Sequence, residues 1–262
     1  MSLLQYALWF RDNAIDRVQR VLLGILKAGP IPHHVAFIMD GNRRYARDKG
    51  VQVIQGHTDG FVALRRILGI CSALDIKVVS VYAFSIDNFK RPQDEVDGLM
   101  NLAEKSLLEL CSYGGVLAEH GVRLNTLGRT QLFPPAVQEA LAKAKELTKN
   151  NNRAVLNMCM PYSSRDEITT AVEETVHDAL VEGRIEPITE KDIEDRLLTA
   201  KVKTAPLDIL IRTSGVKRLS DYLLWQCTEN TQIHFIDTYW PDIGLFDLLP
   251  IILDYQRKVW SQ

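Results

Sequence analysis

Asp40-Gly41-Asn42-Arg43-Arg44 places one carboxylate, one glycine and two guanidinium groups within a single short segment. Ser85, Asp87, Asn88 and Arg91 form a second polar cluster; Arg212, Thr213, Ser214 and Gly215, with Arg218 and Ser220 close behind, form a third. A guanidinium fork meets phosphate oxygens two at a time and stays charged at any working pH. Glycine lets backbone N–H groups approach an anion, above all where a helix begins. A carboxylate among such cations stays ionised. Beside a diphosphate it is a natural ligand for Mg2+, which takes one or two carboxylates together with phosphate oxygens. The combination describes a phosphate or diphosphate site. Each arginine alone reads as a surface ion pair, and Asp40 alone as a helix cap, so the reading rests on the three clusters meeting.

The elements around them make that meeting expected. The clusters follow apolar runs at residues 34–39, 78–84 and 207–211, and further runs stand at 122–127, 154–160 and 233–236. Their near-continuous apolarity predicts strands buried on both faces, as in a parallel sheet. Between them Phe61, Leu64, Leu68, Cys71 and Leu74 keep helical spacing. So do Val96, Leu99, Ala103, Leu107 and Leu110, after Pro92 and the acidic turn Asp94-Glu95. Ser164-Arg165-Asp166-Glu167 predicts a capping box opening another helix. Strand and helix alternating six times predict a single α/β domain with a mostly parallel six-stranded central sheet flanked by helices. Ligands bind beyond the carboxyl ends of such strands, where all three clusters fall.

Composition narrows the function classes. With 46% hydrophobic residues in 262, and 31 Lys and Arg against 33 Asp and Glu, the chain is globular and near neutral. No nucleic-acid partner is expected, because no general basic surface exists to attract one. Cys71, Cys111, Cys159 and Cys227 are widely spaced and form no C-x-x-C pair, which excludes a zinc ribbon and predicts buried thiols in a reducing compartment. No apolar run approaches a membrane span, so the chain is expected to be soluble or attached only at a membrane surface. Residues 1–29 are read as an N-terminal amphipathic helix. Leu8, Trp9, Ile15, Val18, Leu22 and Ile25 alternate there with Arg11, Arg17, Arg20 and Lys27, suiting either a membrane surface or docking on the domain itself. Residues 30–262 are read as the catalytic domain.

Other phosphate chemistries lack their motifs. There is no G-x-x-x-x-G-K-[ST] and no G-x-G-x-x-G. A phosphatase using Asp40 as nucleophile usually wants a second carboxylate two residues on, where Asn42 stands. No two aspartates are adjacent, so the paired-aspartate signature of trans-prenyl synthases is absent.

The segment from His34 to Ala46 resembles the opening signature of the cis-prenyltransferases. Gly56-His57, Tyr82-Ala83-Phe84-Ser85, Asn88-Phe89-Lys90-Arg91-Pro92 and Ile211-Arg212-Thr213-Ser214-Gly215 are similar to its later signatures. Arg218-Leu219-Ser220-Asp221-Tyr222-Leu223-Leu224-Trp225-Gln226 and Trp240-Pro241-Asp242 complete the order. The wording is closer to the eukaryotic, dehydrodolichyl diphosphate-forming branch than to bacterial undecaprenyl enzymes. The resemblance implies condensation of isopentenyl diphosphate onto farnesyl diphosphate with each new double bond cis. It implies that Asp40 holds Mg2+, that Gly41, Arg43, Arg44 and Arg91 grip the allylic diphosphate, and that Asn42 and Ser85 are substrate-binding. Arg212, Arg218 and Ser220 are implied to bind isopentenyl diphosphate, and Asn88 and His57 to handle the proton. The helices around 61–75 and 93–113 are expected to wall a tunnel for a long, dolichol-class product. A non-catalytic scaffold subunit of the same complex is the rival reading, disfavoured because Asp40, Arg44, Arg212 and Arg218 are all present.

Val53 and Val216 stand where bacterial members carry arginine and glutamate, and Gln232 stands where a glutamate can help bind metal. No Arg-x-Gly element follows Arg218. The resemblance therefore implies a second subunit, of the Nogo-B-receptor type, supplying that element, at the cytoplasmic face of the endoplasmic reticulum membrane.

Overall fold

The computed structural model describes residues 17–112 and 114–261. A helix over residues 17–26 (α1) leads into β1 (His34–Ile38), followed by α2 (Asn42–Asp48) and α3 (Val53–Ala73). Then come β2 (Val78–Tyr82), a 3-10 turn at Ile86–Lys90, α4 (Gln93–Cys111), α5 (Val116–Glu119) and β3 (Val122–Leu127). The chain continues through α6 (Pro135–Thr148), β4 (Ala154–Cys159), α7 (Ser164–Val181), α8 (Glu190–Glu194) and α9 (Leu198–Lys201). It closes with β5 (Ile209–Arg212), β6 (Gln232–Phe235) and α10 (Leu245–Trp260).

The six strands form one sheet in the order β3-β4-β2-β1-β5-β6, and every pairing is parallel. The central strands are mostly apolar because helices cover both faces, and all five residues of β1 and all four of β5 are buried, the polar His34 and Arg212 among them. Phe37, Ile67, Leu107, Leu156 and Trp240 sit in the larger core between the sheet and α3, α4 and α10. Ala36, Leu210, Tyr222 and Leu223 belong to a smaller core on the opposite face. Both β2 and β5 adjoin β1, so the chain reverses direction across the sheet there. The loops after these three strands open a crevice at that switch point.

Several expectations shift. Residues 39, 83–84 and 160 lie past their strands, and Arg212 is the last residue of β5 rather than the first of a loop. The capping box at Ser164 does not form. Ser163 is the N-cap of α7 and makes no capping bond, its hydroxyl donating instead to Asp221. The Ser164 hydroxyl accepts from the Leu224 N–H at 2.9 Å. Gln232 opens β6 in register with Ile209, at the amino end of the sheet, whereas Asp40 lies past the carboxyl end of β1. Within this chain Gln232 therefore cannot share a metal with Asp40.

Leu26 at the end of α1 is fully buried, and its carbonyl accepts a 2.6 Å bond from the Gln256 amide, so this end of the helix docks on the domain. Val18, Val21 and Ile25 are exposed. The rest of the expected amphipathic helix, residues 1–16, lies outside the described residues. Among the described residues no helix is long and apolar enough to cross a membrane. Cys71, Cys111 and Cys159 are buried, as expected, whereas Cys227 is only half-buried; all four are free. Burial pushes the Cys71 thiol up to about 12, which marks it as packing rather than chemistry.

Candidate active site at the carboxyl edge of the sheet

One cavity of about 1250 Å3 lies beyond the carboxyl ends of β1, β2 and β5 and runs between α3 and α4. Every residue expected at the site borders it: Asp40 to Arg44 from β1 and α2, His57 from α3, Ser85, Asn88 and Arg91 after β2, and Arg212, Arg218 and Ser220 from β5 and its loop. Its depth is apolar, walled by Phe61 and Leu64 of α3 and by Leu99, Ala103, Leu107 and Leu110 of α4.

Asp40 is the centre of the polar end. Arg212 donates to its Oδ2 at 2.9 Å, Arg44 stands 3.5 Å from the same oxygen, and the Gly41 N–H donates to Oδ1 at 2.8 Å. Burial pushes this carboxyl up, but the bonds and charges of Arg212, with Ser214 and Arg44, outweigh it and hold the pKa below the ordinary carboxylate value. The Thr213 hydroxyl donates to the Asp40 carbonyl at 2.6 Å and ties the two strand ends together. No group of three or more His, Cys, Asp or Glu that could hold a metal exists among the described residues. An ionised single carboxylate with lone pairs to spare suits a hard cation that completes its shell with diphosphate oxygens and water.

Gly41 takes φ of 110°, in the left-handed region, just before α2. A Cβ there would lie 2.8 Å from the Tyr239 ring and 3.0 Å from the Ser214 Cβ, so only glycine fits. Arg44 is fixed by donating to the Ser214 carbonyl and hydroxyl, and its guanidinium lies over the Tyr239 ring at 5.6 Å. Asn42 behaves differently: its amide nitrogen donates weakly to the Met39 carbonyl at 3.4 Å, and its Oδ1 is buried without a partner.

Across the cavity, Ser85 caps the 3-10 turn and Asn88 returns the bond, its Oδ1 accepting from the Ser85 N–H at 3.1 Å. Arg91 pairs with Glu95 at 2.9 Å, and Arg43 stands 3.8 Å from the same carboxylate. His57 has a buried Nε2 with no partner. Burial, reinforced by the Arg91 charge, pushes its pKa down to about 4, so the ring is neutral near pH 7. Arg212 donates to the Ser220 hydroxyl at 2.7 Å and to the Arg218 carbonyl, and Arg218 donates to the same hydroxyl at 3.2 Å.

Tyr239, Glu95 and Arg165 escaped sequence reasoning as members of the site. Tyr239 stacks on Arg44 from far down the chain, and Arg165 borders the cavity from the first turn of α7. Neither spacing nor strand position signals them; Glu95 alone had a local cue, standing four residues after Arg91.

The arrangement sets several guanidinium groups around one carboxylate at the mouth of a cavity whose depth is apolar, and such guanidinium groups can bind phosphate oxygens. The family described as "Putative undecaprenyl diphosphate synthase" matches residues 38–260. A dehydrodolichyl diphosphate synthase complex subunit of Schizosaccharomyces pombe is 44% identical over 93% of this chain and 92% of its own length. The human subunit of that name is 43% identical over 95% of this chain and 74% of its own. The crystal structure of lavandulyl diphosphate synthase from Lavandula x intermedia, in complex with dimethylallyl diphosphate, superposes with a TM-score of 0.78 at 31% identity, covering 86% of this chain and 95% of that one. With the fold and nearly the whole length in agreement, this protein belongs to the cis-prenyltransferase family and is a polyprenyl diphosphate synthase.

Proposed function

We propose that the chain extends farnesyl diphosphate with isopentenyl diphosphate, each new double bond cis, into a long polyprenyl diphosphate of the dehydrodolichyl class, for dolichol and protein glycosylation. The observation that carries this reading is the single cavity with a diphosphate grip at its mouth and an apolar wall in its depth. A phosphatase has no use for such a tunnel, and a scaffold subunit has no use for an intact grip.

In this reading Gly41, Arg43, Arg44 and Arg91 hold the allylic diphosphate. Arg212, Arg218 and Ser220 hold the isopentenyl one. Asp40 lies between them, where it would hold Mg2+; when bound, the ion supplies neutralisation of the departing diphosphate. As the allylic C–O bond breaks, charge grows on the leaving oxygens, and arginines already fixed by hydrogen bonds meet it without reorganising. The isopentenyl double bond attacks the freed allylic carbon, and the proton then lost leaves near His57 and Asn88. The neutral His57 ring, its Nε2 unpartnered, can accept it, and the Asn88 amide can orient the groups around it by hydrogen bonding.

Relatives from S. pombe, human and Saccharomyces cerevisiae are named as complex subunits, which supports a second subunit here. We place it in the Nogo-B-receptor class, with the assembly peripheral at the cytoplasmic face of the endoplasmic reticulum membrane. The exposed Val18, Val21 and Ile25 of α1 support surface contact of that kind.

The test is incorporation of labelled isopentenyl diphosphate into extractable product with farnesyl diphosphate and Mg2+. It is run on the chain alone and with a Nogo-B-receptor-type subunit. Long-chain product appearing only with the partner is the expected result. Equal turnover by the chain alone would overturn the heteromeric part, and no product in either mixture would overturn the whole reading.

A further inference from the structure

The loop from Arg218 to Leu224 carries two groups of the isopentenyl diphosphate grip, and its backbone is unusual. Ser220, Asp221 and Leu223 adopt φ of 51°, 63° and 46°, in the left-handed region that L side chains avoid. A loop held so needs ties from outside. Tyr222 and Leu223 are fully buried, and the Tyr222 ring stacks on Tyr82 at 4.5 Å, which fixes the loop's depth. Asp221 supplies the polar ties. Its Oδ1 accepts from the Arg165 N–H at 3.0 Å, its Oδ2 accepts from the Ser163 hydroxyl and from Arg165 Nε at 3.1 Å, and its carbonyl accepts from the Ser164 N–H at 2.8 Å. Ser164 answers by accepting from the Leu224 N–H. The first turn of α7, whose own N-cap side chain makes no capping bond, is thus capped by a carboxylate from another segment.

We infer that Asp221 is a positioning residue for the isopentenyl diphosphate site: by capping α7 it sets the angle at which Ser220 and Arg218 meet Arg212. The inference rests on the reading that these three bind isopentenyl diphosphate. The adjacent Ser220 hydroxyl is where Arg212 and Arg218 converge, so a loop released from α7 loses that convergence first. The allylic side, built on β1, α2 and the turn after β2, has no hydrogen bond to Asp221 and keeps its geometry. The same carboxylate holds the Arg165 side chain at the cavity wall, although 77% of that side chain is exposed.

The experiment compares Asp221→Ala, Asp221→Asn, Ser163→Ala and Arg218→Ala in the full chain within its active assembly, with KM measured separately for isopentenyl and farnesyl diphosphates. Asp221→Ala is expected to raise the isopentenyl KM about 10-fold and move the farnesyl KM less than about twofold. Asp221→Asn keeps an acceptor for the Arg165 N–H and offers a donor to Ser163, so it restores the isopentenyl KM to within about threefold of wild type. Ser163→Ala removes one tie without touching the loop and gives a smaller rise on the same substrate. It carries the test should Asp221→Ala fail to fold. A parallel rise in both KM values, or an Asn variant as poor as Ala, would overturn the proposal. If Arg218→Ala leaves the isopentenyl KM unchanged, the site assignment itself fails. If Arg218→Ala raises it and neither Asp221→Ala nor Ser163→Ala does, only the positioning role fails.

Discussion

The Arg212 guanidinium lies 2.9 Å from the Asp40 carboxylate although 172 positions separate them in the chain. The Arg212 side chain is only 4% exposed, whereas Asp40 is 30% exposed toward the cavity. The pair is therefore an anchored cation presenting a carboxylate to the cavity, and the structural and proposed catalytic roles of Asp40 can be separated by substitution. Asp40→Asn keeps a hydrogen-bond acceptor for Arg212 and is expected to lose about 10³-fold in kcat while unfolding in urea near the wild-type midpoint. Asp40→Ala is expected to be as inactive and also less stable by about 2 kcal/mol, because the buried Arg212 then loses the hydrogen-bond acceptor that Asn retains. An Asp40→Asn variant with substantial activity would remove Asp40 from the chemistry.

Gly41→Ala tests the anion cradle. A side chain at φ of 110° is strained, and its Cβ would press on Tyr239 and Ser214. A loss of about 2 kcal/mol in urea unfolding is expected, with a farnesyl diphosphate KM raised about 10-fold. Ring displacement of Tyr239 would also loosen Arg44, which lies over it. An unchanged KM would show that the glycine serves packing only.

His34 makes stability depend on pH. Its ring is buried between Ser80, at 2.8 Å from Nε2, and the Ala205 carbonyl, at 2.9 Å from Nδ1, and burial pushes its pKa down to about 4. In the unfolded chain the ring takes a proton near pH 6.5, so below that pH the unfolded state binds more protons and stability falls as pH drops toward 4. Between pH 7 and 4.5 this residue should cost about 2 kcal/mol. Urea unfolding of wild type and His34→Gln at both pH values checks it: the loss should be smaller in the variant by that amount.

Ala103 of α4 borders the apolar depth of the cavity beside Leu107. Ala103→Phe fills that space without touching any charged group. The expected outcome is an initial rate within about threefold of wild type and a product distribution shifted to fewer isoprene units, read by mass spectrometry of the extracted lipid. Unchanged product lengths would place the growing chain elsewhere.

The six strands, the parallel sheet and the three polar clusters are legible in the sequence, because parallel strands buried on both faces read as apolar runs and ligands bind beyond their carboxyl ends, where the clusters stand. The sequence also determined that Asp40 would be ionised among arginines. Only the tertiary structure decided which groups touch. The Arg44–Tyr239 stack, the Arg212–Asp40 pair and the Asp221 clamp on α7 join segments that are distant in sequence, and no periodicity encodes such pairings. The same cause undid the expected capping box at Ser164: its hydroxyl and that of Ser163 were drawn to a neighbouring loop, since a tertiary partner that relieves a strained backbone competes with a local bond. Gln232 shows the limit from the other side, for its place at the amino end of β6 follows from strand register, which the chain fixes only when the sheet is assembled.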